Sequence, residues 1–355
     1  MSISVQSKAH VSVPNDAFAG DQPLVAVMRG EYVGSLHRGT LALVDSAGVV
    51  ALAIGDIDQP VFLRSAAKPF QVLPAILAGG IDQFGISERE LAVLCASHSA
   101  EPRHTDAVLS VLHKLGLDES ALHCGVHPPL HEATARSRWR AGLEPTPACN
   151  NCSGAHTGML VACRARGWSI EDYGDPNHPL QLQTRQILAQ FAGLEPEQVT
   201  LAGDNCHVPT FRLSARAGAT AFARLVTGEH LPEGLREPAA LVTSAMSTYP
   251  EMVAGEDRFD SDVMVAGAGD IVAKGGAEGY QGIGIKSRRL GLGLKISDGN
   301  SRATAPAVMP VLSALGVLSG EAEAALESYS HPISHDHQGE IVGQLTPIFS
   351  IHGLA

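Results

Sequence analysis

The sequence predicts an α+β fold in which one antiparallel sheet is assembled from both ends of the chain, with a mainly helical lobe inserted between them. Three observations carry this. Apolar runs with strand spacing lie at residues 24–30, 40–44 and 49–54, and again at 282–286, 291–296 and 341–345. Between about residues 63 and 255 the apolar positions recur instead at helical spacing. The chain has 355 residues, 45% hydrophobic and 17% charged, a composition that buries a core and excludes disorder. The layout reads as a single domain over 1–355, with the sheet part from about 20–62 and 256–355 and the lobe from about 63–255.

Each element has its own signal. Asp45-Ser46-Ala47-Gly48 is a tight turn between the second and third strands. Ser87-Glu88-Arg89-Glu90 is a capping box ahead of Leu91-Ala92-Val93-Leu94, and Val108, Leu109, Val111, Leu112 and Leu115 repeat at helical spacing. Pro179 opens a helix that Gly193 stops. The alanine-rich run 213–226 and residues 237–248, halted at Pro250, are two more. Glycine-punctuated strands at 282–286 and 291–296 flank Arg288-Arg289, then helices follow at about 303–316 and 320–328.

Composition excludes several functions. With 37 acidic against 25 basic residues the net charge is −12, which disfavours nucleic acid as a partner. Met1 to His10 lack an apolar core and the longest apolar tract is interrupted, so the expectation is a cytoplasmic protein with no membrane span. Six cysteines then read as reduced thiols or metal ligands rather than a disulfide framework. Gly267-Ala268-Gly269-Asp270 lacks the third glycine of a dinucleotide loop.

Only six lysines occur, and two stand in telling places. Ser65-Ala66-Ala67-Lys68 puts a hydroxyl and an amine one helical turn apart. A serine needs a base to become a nucleophile, and a desolvated lysine can serve; serine β-lactamases use this spacing. The plainer reading is a helix-start serine beside a solvated lysine, yet the flanks Val61, Phe62, Leu63, Phe70, Val72 and Leu73 are apolar. Lys274-Gly275-Gly276 is either the analogous second lysine or a surface lysine in a glycine turn. In Cys95-Ala96-Ser97-His98-Ser99, Ser97 is a second catalytic hydroxyl or a helix C-cap.

Two cysteine segments complete the set. Cys149-Asn150-Asn151-Cys152-Ser153-Gly154-Ala155-His156 opens a buried helix, so Cys152 is an acidic thiol or a metal ligand. Gly203-Asp204-Asn205-Cys206-His207 follows a short apolar segment, and cysteines with nearby histidines are compatible with zinc.

These segments, together and in this order, resemble the rhizobial-type L-asparaginases, the class 3 or L-asparaginase II family. The resemblance extends over most of the chain: Ser35-Leu36-His37-Arg38-Gly39, Leu63-Arg64-Ser65-Ala66-Ala67-Lys68-Pro69, Ala96-Ser97-His98-Ser99, Asn150-Asn151-Cys152-Ser153-Gly154, Gly203-Asp204-Asn205-Cys206, Tyr249 through Gly255, Lys274 through Gly279, and Lys295-Ile296-Ser297-Asp298-Gly299. It implies a fold similar to serine β-lactamases and glutaminases, one catalytic domain, a homodimer, and hydrolysis of L-asparagine to aspartate and ammonia. Carried over by position, it makes Ser65 with Lys68 and Ser97 with Lys274 two catalytic tandems. Arg64, His156 and Asp204 line the pocket, and Cys152 and Cys206 hold zinc.

The sequence departs from the family at one place. The third zinc ligand, a lysine three residues after the first cysteine, is Ala155 here; Cys149 or His207 are the nearby substitutes. The resulting expectation is an amidohydrolase in which Ser65 attacks the amide carbon and Lys68 takes its proton. Ser97 with Lys274 protonates the departing nitrogen, Asp204 pairs with the substrate α-ammonium, and Arg64 holds an oxyanion or carboxylate. The Ala155 departure keeps open an amidase for another small amide, and a non-catalytic binding homologue is the reading from another class.

Overall fold

The computed structural model describes residues 17–351, so the reading of Met1 to His10 falls outside it. The main sheet has eight strands, all antiparallel to their neighbours: β1 (Gln22–Arg29), β2 (Tyr32–Asp45), β3 (Val50–Ile54), β7 (Ile271–Gly276), β8 (Tyr280–Ile285), β9 (Leu290–Ile296), β10 (Ile333–His335) and β11 (Ile341–Pro347). Its order is β10-β11-β1-β2-β9-β8-β7, with β3 added on β2. Strands from both ends of the chain therefore interleave, as expected. Three further strands, β4 (Pro60–Phe62), β5 (Thr200–Gly203) and β6 (Pro209–Ser214), form a small sheet in the order β4-β6-β5.

Two differences from the sequence reading have physical causes. β2 extends over fourteen residues, not only 40–44, because its first part pairs with β1 while its side chains face solvent and leave no apolar run. The alanine-rich helix is Ala215–Thr227; Ser214 ends β6 and caps that helix by accepting from the Ala217 N–H.

The other helices match their signals. Glu88–Leu94 starts at the expected box, with Ser87 and Glu90 each accepting the other's backbone N–H. Pro179–Ala192 ends at Gly193 in the left-handed conformation. The 237–248 segment lies within Glu233–Thr248, which runs through Pro238.

Helix Ala215–Thr227 packs on β9, β8 and β2, and the glycines in the strands make this close approach feasible. A Cβ on Gly291 would lie 1.9 Å from the Ala219 carbonyl oxygen, so only glycine fits. The apolar core is continuous from this sheet into the lobe helices Pro102–Lys114, Ser153–Arg166 and Pro179–Ala192. No helix among the described residues is long and apolar enough to cross a membrane.

Candidate active site

The site forms where the lobe meets β7, the edge strand of the main sheet. Ser65 sits in the 3-10 turn Arg64–Ala67, directly before the short helix Lys68–Gln71. The turn is constrained from both sides. Leu63 donates its N–H to Phe211 O at 3.0 Å, and a Cβ on Gly276 would fall 2.1 Å from Leu63 O. Strand β7 thus presses its glycine end against the serine-bearing turn.

Arg64 has φ +51°, a left-handed backbone that a branched or long side chain rarely adopts. Its guanidinium offsets that strain with a fork on Asp204, at 3.1 Å from Nε to Oδ2 and 2.8 Å from a terminal nitrogen to Oδ1. It also pairs with Glu278 at 2.9 Å. Arg64 and Asp204, both expected to bind substrate, are therefore each other's partners.

A cavity of about 340 Å³ opens beside this turn, lined by Ser65, Ser97, Asn151, Arg258, Asp260 and Gln281 among others. Both serines thus face one space, although 32 positions separate them in sequence. A larger open hollow of about 980 Å³ lies beyond Glu278, but its one serine, Ser297, donates to Asp21. The lysine of that hollow, Lys295, donates to Glu278 O and not to the serine.

Two lysines are buried behind the smaller cavity, Lys68 at 3% and Lys274 at 1% exposure. Lys68 Nζ donates to Ser97 Oγ at 2.8 Å and to Cys152 Sγ at 3.2 Å. Lys274 Nζ donates to Gly275 O at 2.8 Å and to Asp260 Oδ2 at 3.4 Å. Of the two tandems that the resemblance implies, Ser65 with Lys68 and Ser97 with Lys274, all four residues lie at this site, and the hydrogen bonds made by the two amines run from Lys68 to Ser97 and from Lys274 to Gly275 and Asp260.

The acceptor for Lys68 is an acidic thiol. A hydrogen bond from Cys206 and the neighbouring Lys68 together hold Cys152 down to about 5 against its burial, and the same bond with burial pushes Cys206 up. The acceptor for Lys274 is a carboxylate. Burial of Asp260 opposes its charge, but Lys274, the Gly275 N–H at 2.7 Å and Gln281 Nε2 at 2.9 Å outweigh that and keep it below its ordinary value. Lys274 itself is lowered to about 8, chiefly by desolvation.

Two histidines near the site are fully buried and neutral. His98 Nε2 donates to Ser153 Oγ at 2.9 Å, since Ser153 spends its own proton on Ala148 O. His98 Nδ1 accepts from the Ala100 N–H, and burial keeps the ring neutral. His156, expected in the pocket, is fully buried against the Tyr173 hydroxyl at 2.7 Å, and burial lowers it to about 3.

Cavity-lining residues that the sequence reading did not single out are Arg258, Asp260, Asn151 and Gln281. Asp260 follows Arg258 in the stretch after Tyr249-Pro250, far from any catalytic spacing. The one available signal was its place just after a block quoted for the resemblance.

A sequence profile for L-asparaginase II matches residues 25–347. The chain belongs to the L-asparaginase II family. No curated protein matches the chain.

Solved structures similar to this L-asparaginase II family member include Mglu in its native form, at 16% identity and TM-score 0.46. That alignment covers 80% of this chain and 66% of Mglu, so the chain spans just under two thirds of that protein's length. Mglu in its glutamate form aligns at 16% identity and TM-score 0.45, over 79% of this chain and 61% of that one. A β-lactamase from Mycobacterium bovis aligns at 12% identity and TM-score 0.41, over 82% and 95% of the two chains.

The zinc centre implied by the L-asparaginase II resemblance does not fit the donors present. Cys152 and Cys206 are adjacent, but the third position is the methyl group of Ala155. Neither substitute joins them: Cys149 contacts Thr146 Oγ1 at 3.8 Å, and His207 lines a separate hollow with His123 and Asp172. Among the described residues no three His, Cys, Asp or Glu side chains converge as a metal site.

Proposed function

We propose that the chain hydrolyses L-asparagine to L-aspartate and ammonia through an acyl-enzyme on Ser65. The observation that supports this most is two serines facing one cavity, backed by two buried lysines, one of them bonded to Ser97. A binding protein needs no such pairing of hydroxyls with buried amines.

In the proposed cycle the Ser65 hydroxyl oxygen attacks the side-chain amide carbon and its proton passes by way of Ser97 to Lys68, which hands one of its own protons to the Cys152 thiolate. The carbonyl oxygen becomes an oxyanion, and the backbone N–H groups of Ser65 and Ala277, two residues of the cavity lining, are assigned to it as donors. The tetrahedral intermediate expels nitrogen only when it is protonated. Lys274, lowered to about 8, releases a proton more readily than an ordinary lysine and supplies it. Water then attacks the acyl carbon and gives its proton to Lys274, now neutral, while the relay through Lys68 and Ser97 returns a proton to the Ser65 oxygen as aspartate leaves.

Ammonia release from L-asparagine, L-glutamine and a panel of small amides tests the reading. Turnover of asparagine that falls at least about a hundredfold in Ser65→Ala, with unchanged far-UV circular dichroism, supports it. Turnover that survives Ser65→Ala but is lost in Ser97→Ala exchanges the roles of the serines, and preference for another amide changes the substrate. Silence of the folded wild type on every amide overturns the proposal.

A further inference from the structure

We infer that Arg258 holds the α-carboxylate of the amide substrate and so sets which amides enter; this rests on the proposed hydrolysis. Arg258 lines the same cavity as Ser65 and Ser97. One terminal nitrogen donates to Ser99 Oγ at 3.1 Å, and Ser99 in turn donates to Ala254 O at 2.8 Å. Ser99 therefore acts as a fixed acceptor that aims the guanidinium and leaves its other N–H groups free.

The other charges at the site are committed. Arg64 is held by Asp204 and Glu278, Lys68 by Ser97 and Cys152, and Lys274 by Asp260. Asp260 is saturated by Lys274, Gly275 and Gln281, and Glu256 is taken by Arg103. Among the described residues no carboxylate lies within ion-pair distance of Arg258; Asp260 on the same wall feels its charge but is bonded to other donors, so the guanidinium has no direct carboxylate partner. A planar fork of donors matches a carboxylate better than any other small-molecule anion an amino-acid amide carries.

The segment carrying Arg258 is also locked in register with the nucleophile side. Ser97 donates its N–H to Val253 O at 3.0 Å, Gly255 donates to Ser261 Oγ at 3.1 Å, and Glu256 donates to Glu101 Oε1 at 2.9 Å. Gly255 has φ +114°, and a Cβ there would lie 2.2 Å from Glu101 Oε1. The distance between Arg258 and the serines is thus set by backbone hydrogen bonds, the arrangement a specificity contact needs.

Three amides separate the ends of the substrate: L-asparagine, succinamate, which keeps the carboxylate but lacks the ammonium, and β-alaninamide, which keeps the ammonium but lacks the carboxylate. In Arg258→Met, kcat/KM for asparagine and succinamate should fall about 10- to 100-fold, mainly through KM. β-Alaninamide should be unaffected, and Arg258→Lys should restore part of the loss. An equal loss on all three amides, or none, overturns the inference. Calorimetric binding of L-aspartate keeps the two readings apart. A wild type without turnover that binds aspartate through Arg258 refutes only the hydrolysis, whereas binding indifferent to Arg258→Met refutes the carboxylate role.

Discussion

Asp260 shows how one buried carboxylate tunes a neighbour. Its charge favours the ammonium form of Lys274, while desolvation, the larger effect, favours the neutral amine. If Lys274 is the acid that protonates departing nitrogen, kcat should decline as pH rises through about 8. Asp260→Asn removes the stabilising charge and lowers the lysine further, so that decline should move to lower pH; a pH profile of kcat that does not move sinks the assignment. The individual residues were unevenly legible in the sequence. Ser65 and Lys68 stood out because a lysine among apolar neighbours is costly and therefore conspicuous, Ser97 through the hydroxyls and imidazole around it, and Lys274 through the two glycines that follow it. The lysines' pairing with Cys152 and Asp260 was not legible, because these acceptors reach them through space and local spacing describes only neighbours on one turn. Arg258 was illegible for the same reason, since its meaning lies in the absence of a partner.

The packing of Ala215–Thr227 on the sheet depends on strands stripped of side chains. Gly282 faces the Phe222 ring, where a Cβ would come within 2.0 Å of a ring carbon, and Gly291 faces the Ala219 carbonyl. Gly291→Val should lower stability by at least about 3 kcal/mol, because the obstructing atom is backbone and cannot rotate away. The urea midpoint measures this, with Gly34→Val, on an exposed part of β2, as the control. The glycine-punctuated strands and the alanine-rich helix were legible separately from their patterns. That each exists for the other became visible only once they were stacked. The β4-β6-β5 sheet escaped notice because strands of three, six and four residues carry too little alternation to distinguish them from loop.

Across the whole molecule, the sheet binds the two ends of the chain together. β1 is flanked by β2 and β11, with Val25 opposite Pro347 and Arg29 opposite Gly343. Deleting residues 333–355 would bare one edge of β1, so the truncated protein should melt at lower temperature and self-associate as concentration rises. Scanning calorimetry and light scattering check this, and an unchanged melting temperature would contradict it. This arrangement was the most legible feature of all, because strand patterns at both ends with none of comparable strength between them admit few sheets. The same arrangement has a consequence during synthesis. β2 emerges from the ribosome early, yet its neighbour β9 begins roughly 245 residues later. At ~5–20 residues per second, the buried half of β2 therefore waits on the order of 12–50 s without its partner. Lys274 arrives only at the end of that interval, well after Ser65. Through that interval the nascent chain is a helical lobe beside an unpaired apolar hairpin, and it acquires the means for chemistry only when Lys274 and the strands around it appear.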